Sequence, residues 1–115
     1  MGIRSDVGLV LAADVVDQFF DAISPEHRGL FSTVPRATFQ GALLYVLEDV
    51  KWYETYSDVS EILAILEGLP SEKCYLVEVC PEHPGTGMEV GSYYDNPFNL
   101  CKFVRCELSY EGGIE

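Results

Sequence analysis

Nineteen acidic residues against seven basic ones give this 115-residue chain a formal net charge of −12. Such a charge repels phosphate backbones, because nucleic-acid affinity rests on cationic side chains that displace condensed counterions. Direct binding to DNA, RNA or an anionic membrane is therefore disfavoured, whereas encounter with a basic surface is accelerated. A hydrophobic content of 48 % with 12 % aromatics excludes an acidic disordered tail, which would be poor in both.

The length suits one domain, residues 1–115, around one core. The opening dodecapeptide has an early Arg4 and a short apolar run, but Asp6, Asp14 and Asp17 break the pattern of a signal peptide. No stretch approaches the roughly twenty apolar residues of a membrane helix. A cytoplasmic location is the expectation, with Cys74, Cys80, Cys101 and Cys106 as reduced thiols.

Alternation of Val7, Leu9 and Leu11 predicts a strand over Ser5–Ala12. The period then changes: Val15, Val16, Phe19, Phe20 and Ile23 fall at helical spacing opposite Asp14, Asp17, Gln18 and Asp21, which predicts an amphipathic helix from Ala13 to Ile23. Ser24-Pro25-Glu26 ends it and opens a brief second helix toward Phe31, closed by Pro35. Thr38–Tyr53 is nearly free of polar residues until Glu48 and reads as a central strand covered on both faces. Ser57 is placed to cap a helix whose apolar stripe is Val59, Ile62, Leu63 and Leu66, with Asp58 and Glu61 in the first turn and Gly68 and Pro70 as the stop.

Cys74–Cys80 and Leu100–Tyr110 complete the strands. The fold class expected is α+β: a small mixed four-stranded sheet in the order β-α-β-α-β-β with helices packed on it. Strands joined through helices are expected as parallel neighbours, and the last two as an antiparallel pair. The alternative is a ferredoxin-like order, β-α-β-β-α-β, which requires Thr38–Tyr53 to be two strands.

Residues 81–99 form a long irregular stretch rich in Pro and Gly, which in a compact domain is either functional or contains a further element. Met88, Val90, Tyr93, Tyr94 and Phe98 either fold back on the core or point outward as a contact patch. Met88, Tyr93, Tyr94, Phe98 and Trp52 are the candidate interaction residues.

Groups suited to catalysis are few. His27 sits at a helix start, where capping or surface exposure is the ordinary role. Cys80 and His83 have ligand-like spacing, and Cys101 and Cys106 would complete three thiolates and an imidazole around zinc. An odd separation places Cys101 and Cys106 on opposite faces of a regular strand, which weakens that set. A Cys80–His83 nucleophile pair is opposed by Glu78 and Glu82, because acid neighbours raise a thiol pKa. Glu48 and Asp49 project to opposite faces of a continuing strand and share no substrate. Gly85-Thr86-Gly87 lacks the lysine and helix of a phosphate loop, and the acids of residues 82–99 lack calcium-loop spacing. No cofactor is expected from this set beyond that weak zinc arrangement.

The run Leu44-Tyr45-Val46-Leu47-Glu48-Asp49-Val50-Lys51-Trp52-Tyr53, followed closely by Ser57-Asp58-Val59, resembles a Glu-Asp-(Val/Ile)-Lys-Trp-Tyr pattern of small uncharacterised bacteriophage and prophage proteins. The resemblance implies an origin and no reaction; accessory proteins of that kind act by binding a host protein. The sequence therefore favours a non-enzymatic acidic factor that engages a basic protein partner, nucleic-acid mimicry being a special case. The alternative is a small zinc-binding or thiol-dependent enzyme around Cys80, His83, Cys101 and Cys106. A third reading is a homo-oligomeric module using the Leu100–Tyr110 strand as an edge, with Lys102 and Arg105 as the charges that blunt it.

Overall fold

The β-branched and leucine-rich run at Ser5–Ala12 forms β1, the middle strand of a sheet in a computed structural model that describes residues 4–27, 37–80, 87–93, 95–97, 101–102 and 108–109. There follow α1 (Ala13–Ala22), a 3-10 turn (Pro25–His27), β2 (Ala37–Phe39), β3 (Ala42–Val50), α2 (Ser57–Glu67), a second 3-10 turn (Ser71–Lys73), β4 (Cys74–Val79) and β5 (Glu89–Gly91). Two further short strands, β6 (Cys101–Lys102) and β7 (Leu108–Ser109), pair with each other. Among the described residues the main sheet has five strands in the order β2-β3-β1-β4-β5, and every pairing in it is antiparallel. The fold is α+β with two helices packed on the sheet.

Three expectations about the sheet are corrected. Thr38–Tyr53 is a hairpin, because Gln40 (φ 52°) and Gly41 (φ 80°) both take the left-handed conformation that a two-residue turn needs, with Phe39 opposite Ala42. The order through β4 is therefore β-α-β-β-α-β, the ferredoxin-like alternative. Strands joined through a helix do run parallel, but they are not neighbours: β3 lies between β1 and β2, and β1 lies between β3 and β4. The sheet is thus antiparallel and not mixed. Finally, the described residues of the expected Leu100–Tyr110 strand are two short strands that pair with each other, Cys101 facing Ser109 and Lys102 facing Leu108; the rest of that stretch lies outside the described residues.

The sheet buries both faces. Val7, Leu9, Leu11, Tyr45, Cys74 and Leu76 meet Val15 and Phe19 of α1 and Val59, Ile62 and Leu66 of α2. On the reverse face Val10, Ala42, Leu44, Tyr75, Val77 and Val79 form a second cluster. Both lateral edges of β1 are taken by β3 and β4, so the β6–β7 pair, which approaches β1 and β4, lies across a face of the sheet. Burial from two sides is why these strands read as continuous apolar runs.

A bulge near the end of β3 decides where Trp52 goes. Ser5 pairs with Val50 while Val7 pairs with Leu47, so Asp6 faces both Glu48 and Asp49. Asp49 takes φ 57°; its N–H donates to Asp6 Oδ1 at 3.0 Å and its carbonyl accepts from Arg4 Nη1 at 3.0 Å. An extra residue reverses the alternation. Leu43, Tyr45 and Leu47 reach the helix side on odd numbers, whereas Val50 and Trp52 reach it on even ones.

The helices end as their sequences require, with one shift. The Ala13 N–H, unsatisfied within α1, donates to Gly41 O at 2.8 Å, which ties the helix start to the β2–β3 turn. Tyr56, not Ser57, occupies the cap position of α2, and Ser57 is the first helical residue. Asp58 Oδ1 accepts from Val59 N at 2.8 Å, a carboxylate at the positive end of the helix dipole. The helix stops at Glu67, with the Gly68 and Leu69 N–H groups donating to Ile65 O and Leu66 O in tightened turns.

Candidate functional site

Burial of Val15 and Phe19 turns the opposite side of α1 to water. Asp14, Asp17 and Asp21, at spacings of three and four, therefore share one exposed stripe. Glu26 in the following turn is exposed, as are Glu54 before α2, Glu67 at its end and Glu72 beyond it. Glu61 is occupied structurally: its two oxygens accept from Ser24 N at 3.1 Å and Ser24 Oγ at 2.6 Å, which clamps the exit of α1 to α2.

Among the described residues, Lys73 is the cation that answers this acidic layer, and it pairs with Asp14. Hydrogen bonding to the Lys73 ammonium holds the Asp14 carboxyl below its ordinary range, and Asp14 in turn raises Lys73. Of the other described bases, Arg4 and Lys51 flank the bulge at the ends of β1 and β3, and Lys102 stands in β6.

Along the outer side of α2 runs a groove of about 270 Å³ lined by Glu54, Ser60, Leu63, Ala64 and Glu67. Ser60, Leu63, Ala64 and Glu67 are one helical stripe, set beside the Val59, Ile62 and Leu66 stripe that faces the core. Tyr56 at the head of the helix is 42 % exposed and packs edge-on against Tyr53 with ring centroids 5.2 Å apart.

The predicted contact residues are placed differently. Trp52 is 4 % exposed and belongs to the helix-side core. Met88 and Val90 are half-buried against the same core, and Tyr93 packs on the reverse-face cluster. Burial raises the Tyr93 hydroxyl pKa, with Asp95 and Asp14 adding to it. Trp52, Met88 and Tyr93 thus form no bare aromatic patch, and Tyr94 and Phe98 lie outside the described residues. The irregular stretch contains the missed strand β5, held by Tyr75 Oη donating to Glu89 Oε2 at 2.6 Å and by the pairing of Tyr75 with Gly91.

Of the predicted zinc set, Cys80 is described in full. It is 5 % exposed, with Sγ 3.2 Å from Ser5 Oγ and 3.6 Å from Glu78 Oε2, to which the thiol donates. Ser5 Oγ donates to the same Glu78 oxygen at 2.6 Å, and Ser5 and Glu78 are 2 % and 6 % exposed. Glu78 near the end of β4 and Cys80 just beyond it, two residues apart in extended chain, meet Ser5 where β1 begins. His83 and Cys106 lie outside the described residues, and Cys101 is described by its place in β6 alone. Among the described residues no three His, Cys, Asp or Glu side chains converge as metal ligands.

Cys74 is also buried; burial pushes its thiol pKa up and Glu72 adds to the rise. His27 closes the first 3-10 turn. Sequence reasoning missed the partnership of Ser5 with Glu78, although a lone acid inside the apolar Cys74–Cys80 strand was its visible signal. Among the described residues no helix is long and apolar enough to cross a membrane. Compared with known proteins, the chain matches no family model, and no curated protein or solved structure matches it significantly.

Proposed function

We propose that this chain is a non-enzymatic accessory protein that acts in the cytoplasm by binding a protein with a basic surface. The observation that carries the reading is the helical layer, where Asp14, Asp17, Asp21, Glu26, Glu54, Glu67 and Glu72 are exposed with Lys73 as the described counter-charge. An acidic face raises the encounter rate with a cationic surface and fixes its orientation. The likeness of residues 44–53 to phage and prophage proteins supports an origin in a phage or mobile element, with a host protein as the target.

Affinity capture from bacterial lysate at low and moderate salt, followed by measured binding of the captured protein, tests this. Wild-type chain should retain a basic partner more strongly at low salt, and Asp17→Asn with Asp21→Asn should weaken it. Failure to retain any partner at either salt counts against the proposal. The competing reading, zinc or thiol chemistry around Cys80, His83, Cys101 and Cys106, draws on the proximity of Cys80 to Glu78. Elemental analysis decides it: stoichiometric zinc that disappears in Cys80→Ser would replace the binding proposal.

A further inference from the structure

The groove on α2 combines apolar and acidic lining, the chemistry of a seat for long cationic side chains. Leu63 and Ala64 supply its apolar lining, and Ser60 beside them is small. Glu54 and Glu67 close its two ends in sequence, one before the helix and one at its last residue. Both carboxylates are exposed, and neither has a hydrogen-bond or ion partner among the described residues. At about 270 Å³ the space falls below the roughly 300–1,000 Å³ of whole-ligand pockets.

Lysine and arginine lay an aliphatic stem on apolar surface while the charged head stays in polar surroundings. Apolar lining with a carboxylate at each end matches that division. Resting on the binding function proposed above, we infer that this groove docks a basic segment of the partner protein, with one arginine or lysine head at Glu54, another at Glu67, and their aliphatic stems on Leu63 and Ala64. The groove thus adds a local anchor to the diffuse attraction of the α1 stripe. Tyr56, exposed at the same end of α2 as Glu54, is placed to extend the contact.

The test uses the full chain, isotopically labelled, and a synthetic capped peptide of three Arg-Leu-Ala-Arg repeats, with a twin carrying glutamine for arginine. Saturable amide shifts centred on Ser60, Leu63, Ala64 and Glu67 are expected with the arginine peptide and not with its twin. Glu54→Gln combined with Glu67→Gln should weaken binding about tenfold, the sum of two partly exposed charge pairs. Asp17→Asn with Asp21→Asn should weaken it less at this site. All four substitutions are at exposed positions, so unchanged melting curves confirm that folding is intact. Shifts centred on Asp17 and Asp21, with affinity indifferent to the Glu54 and Glu67 changes, overturn the groove while sparing the wider acidic-surface reading. Absence of any saturable shift at low salt overturns both.

Discussion

Gly91 shows how little room a single position can leave. Its φ is 88°, and a Cβ there would lie 2.1 Å from the Cys74 carbonyl oxygen, so the backbone of β5 approaches β4 in a way that only glycine allows. Gly91→Ala should destabilise the protein by at least the ~1–3 kcal/mol of a strained dihedral, with the clash added, as urea denaturation would measure. Ser5 is a polar counterpart. Ser5→Ala removes the hydroxyl donor from the buried Glu78 carboxylate and should cost about 1–3 kcal/mol in the same assay, the penalty for an acceptor left short of partners. An unchanged midpoint would mean that Cys80 or water satisfies Glu78 equally well.

Among the elements, β3 depends on its bulge. The Asp49 contacts are made by its backbone N–H and carbonyl, so its side chain is dispensable and its left-handed φ is what matters. Asp49→Gly should therefore be neutral or slightly stabilising, and Asp49→Val should cost roughly 1–2 kcal/mol. Deleting Asp49 is a stronger test: without the extra residue the alternation carries Trp52 to the other face. Emission from the single Trp52 should then move to longer wavelength; an unshifted spectrum would argue that the bulge does not set the register.

The link between α1 and the turn before β4 is the Asp14–Lys73 pair, and its pH signature has two limbs. Asp14 is depressed below 3.8, so its contribution is present above that value and is lost as pH falls through the folded pKa. Lys73 is raised above 10.5, so its contribution is present below that value and is lost as pH rises through the folded pKa. The stability difference between wild type and Lys73→Met should be a plateau at intermediate pH that closes at both extremes. It should also be small, because both side chains are exposed. A difference that persists at acid pH would assign it to packing of the lysine stem.

For the whole molecule, the charge of −12 works in opposite directions on stability and on association. Self-repulsion in the folded state is relieved by screening, so melting temperature should rise with moderate salt. Attachment to a basic partner relies on the same field and should weaken over the same range. Parallel melting and binding titrations check this, and salt-independent binding would place the energy in apolar contacts instead.

Periodicity alone located β1, α1, α2 and β4 within a residue or two, because each buries a stripe that repeats at its own spacing. Composition alone determined the acidic character of the surface, since charge requires no fold to be counted. Pairing was a different matter. Gln40-Gly41 carried the turn, but apolar residues on both sides disguised it, and β5, β6 and β7 are too short to show a period. Which strands become neighbours depends on contacts between residues distant in the chain, and so do the inward seats of Trp52, Met88 and Tyr93, the meeting of Ser5 with Glu78 and Cys80, and the groove on α2. Local patterns select an element and its buried face; only the assembled sheet, with its bulge and its two covered sides, selects what that face meets.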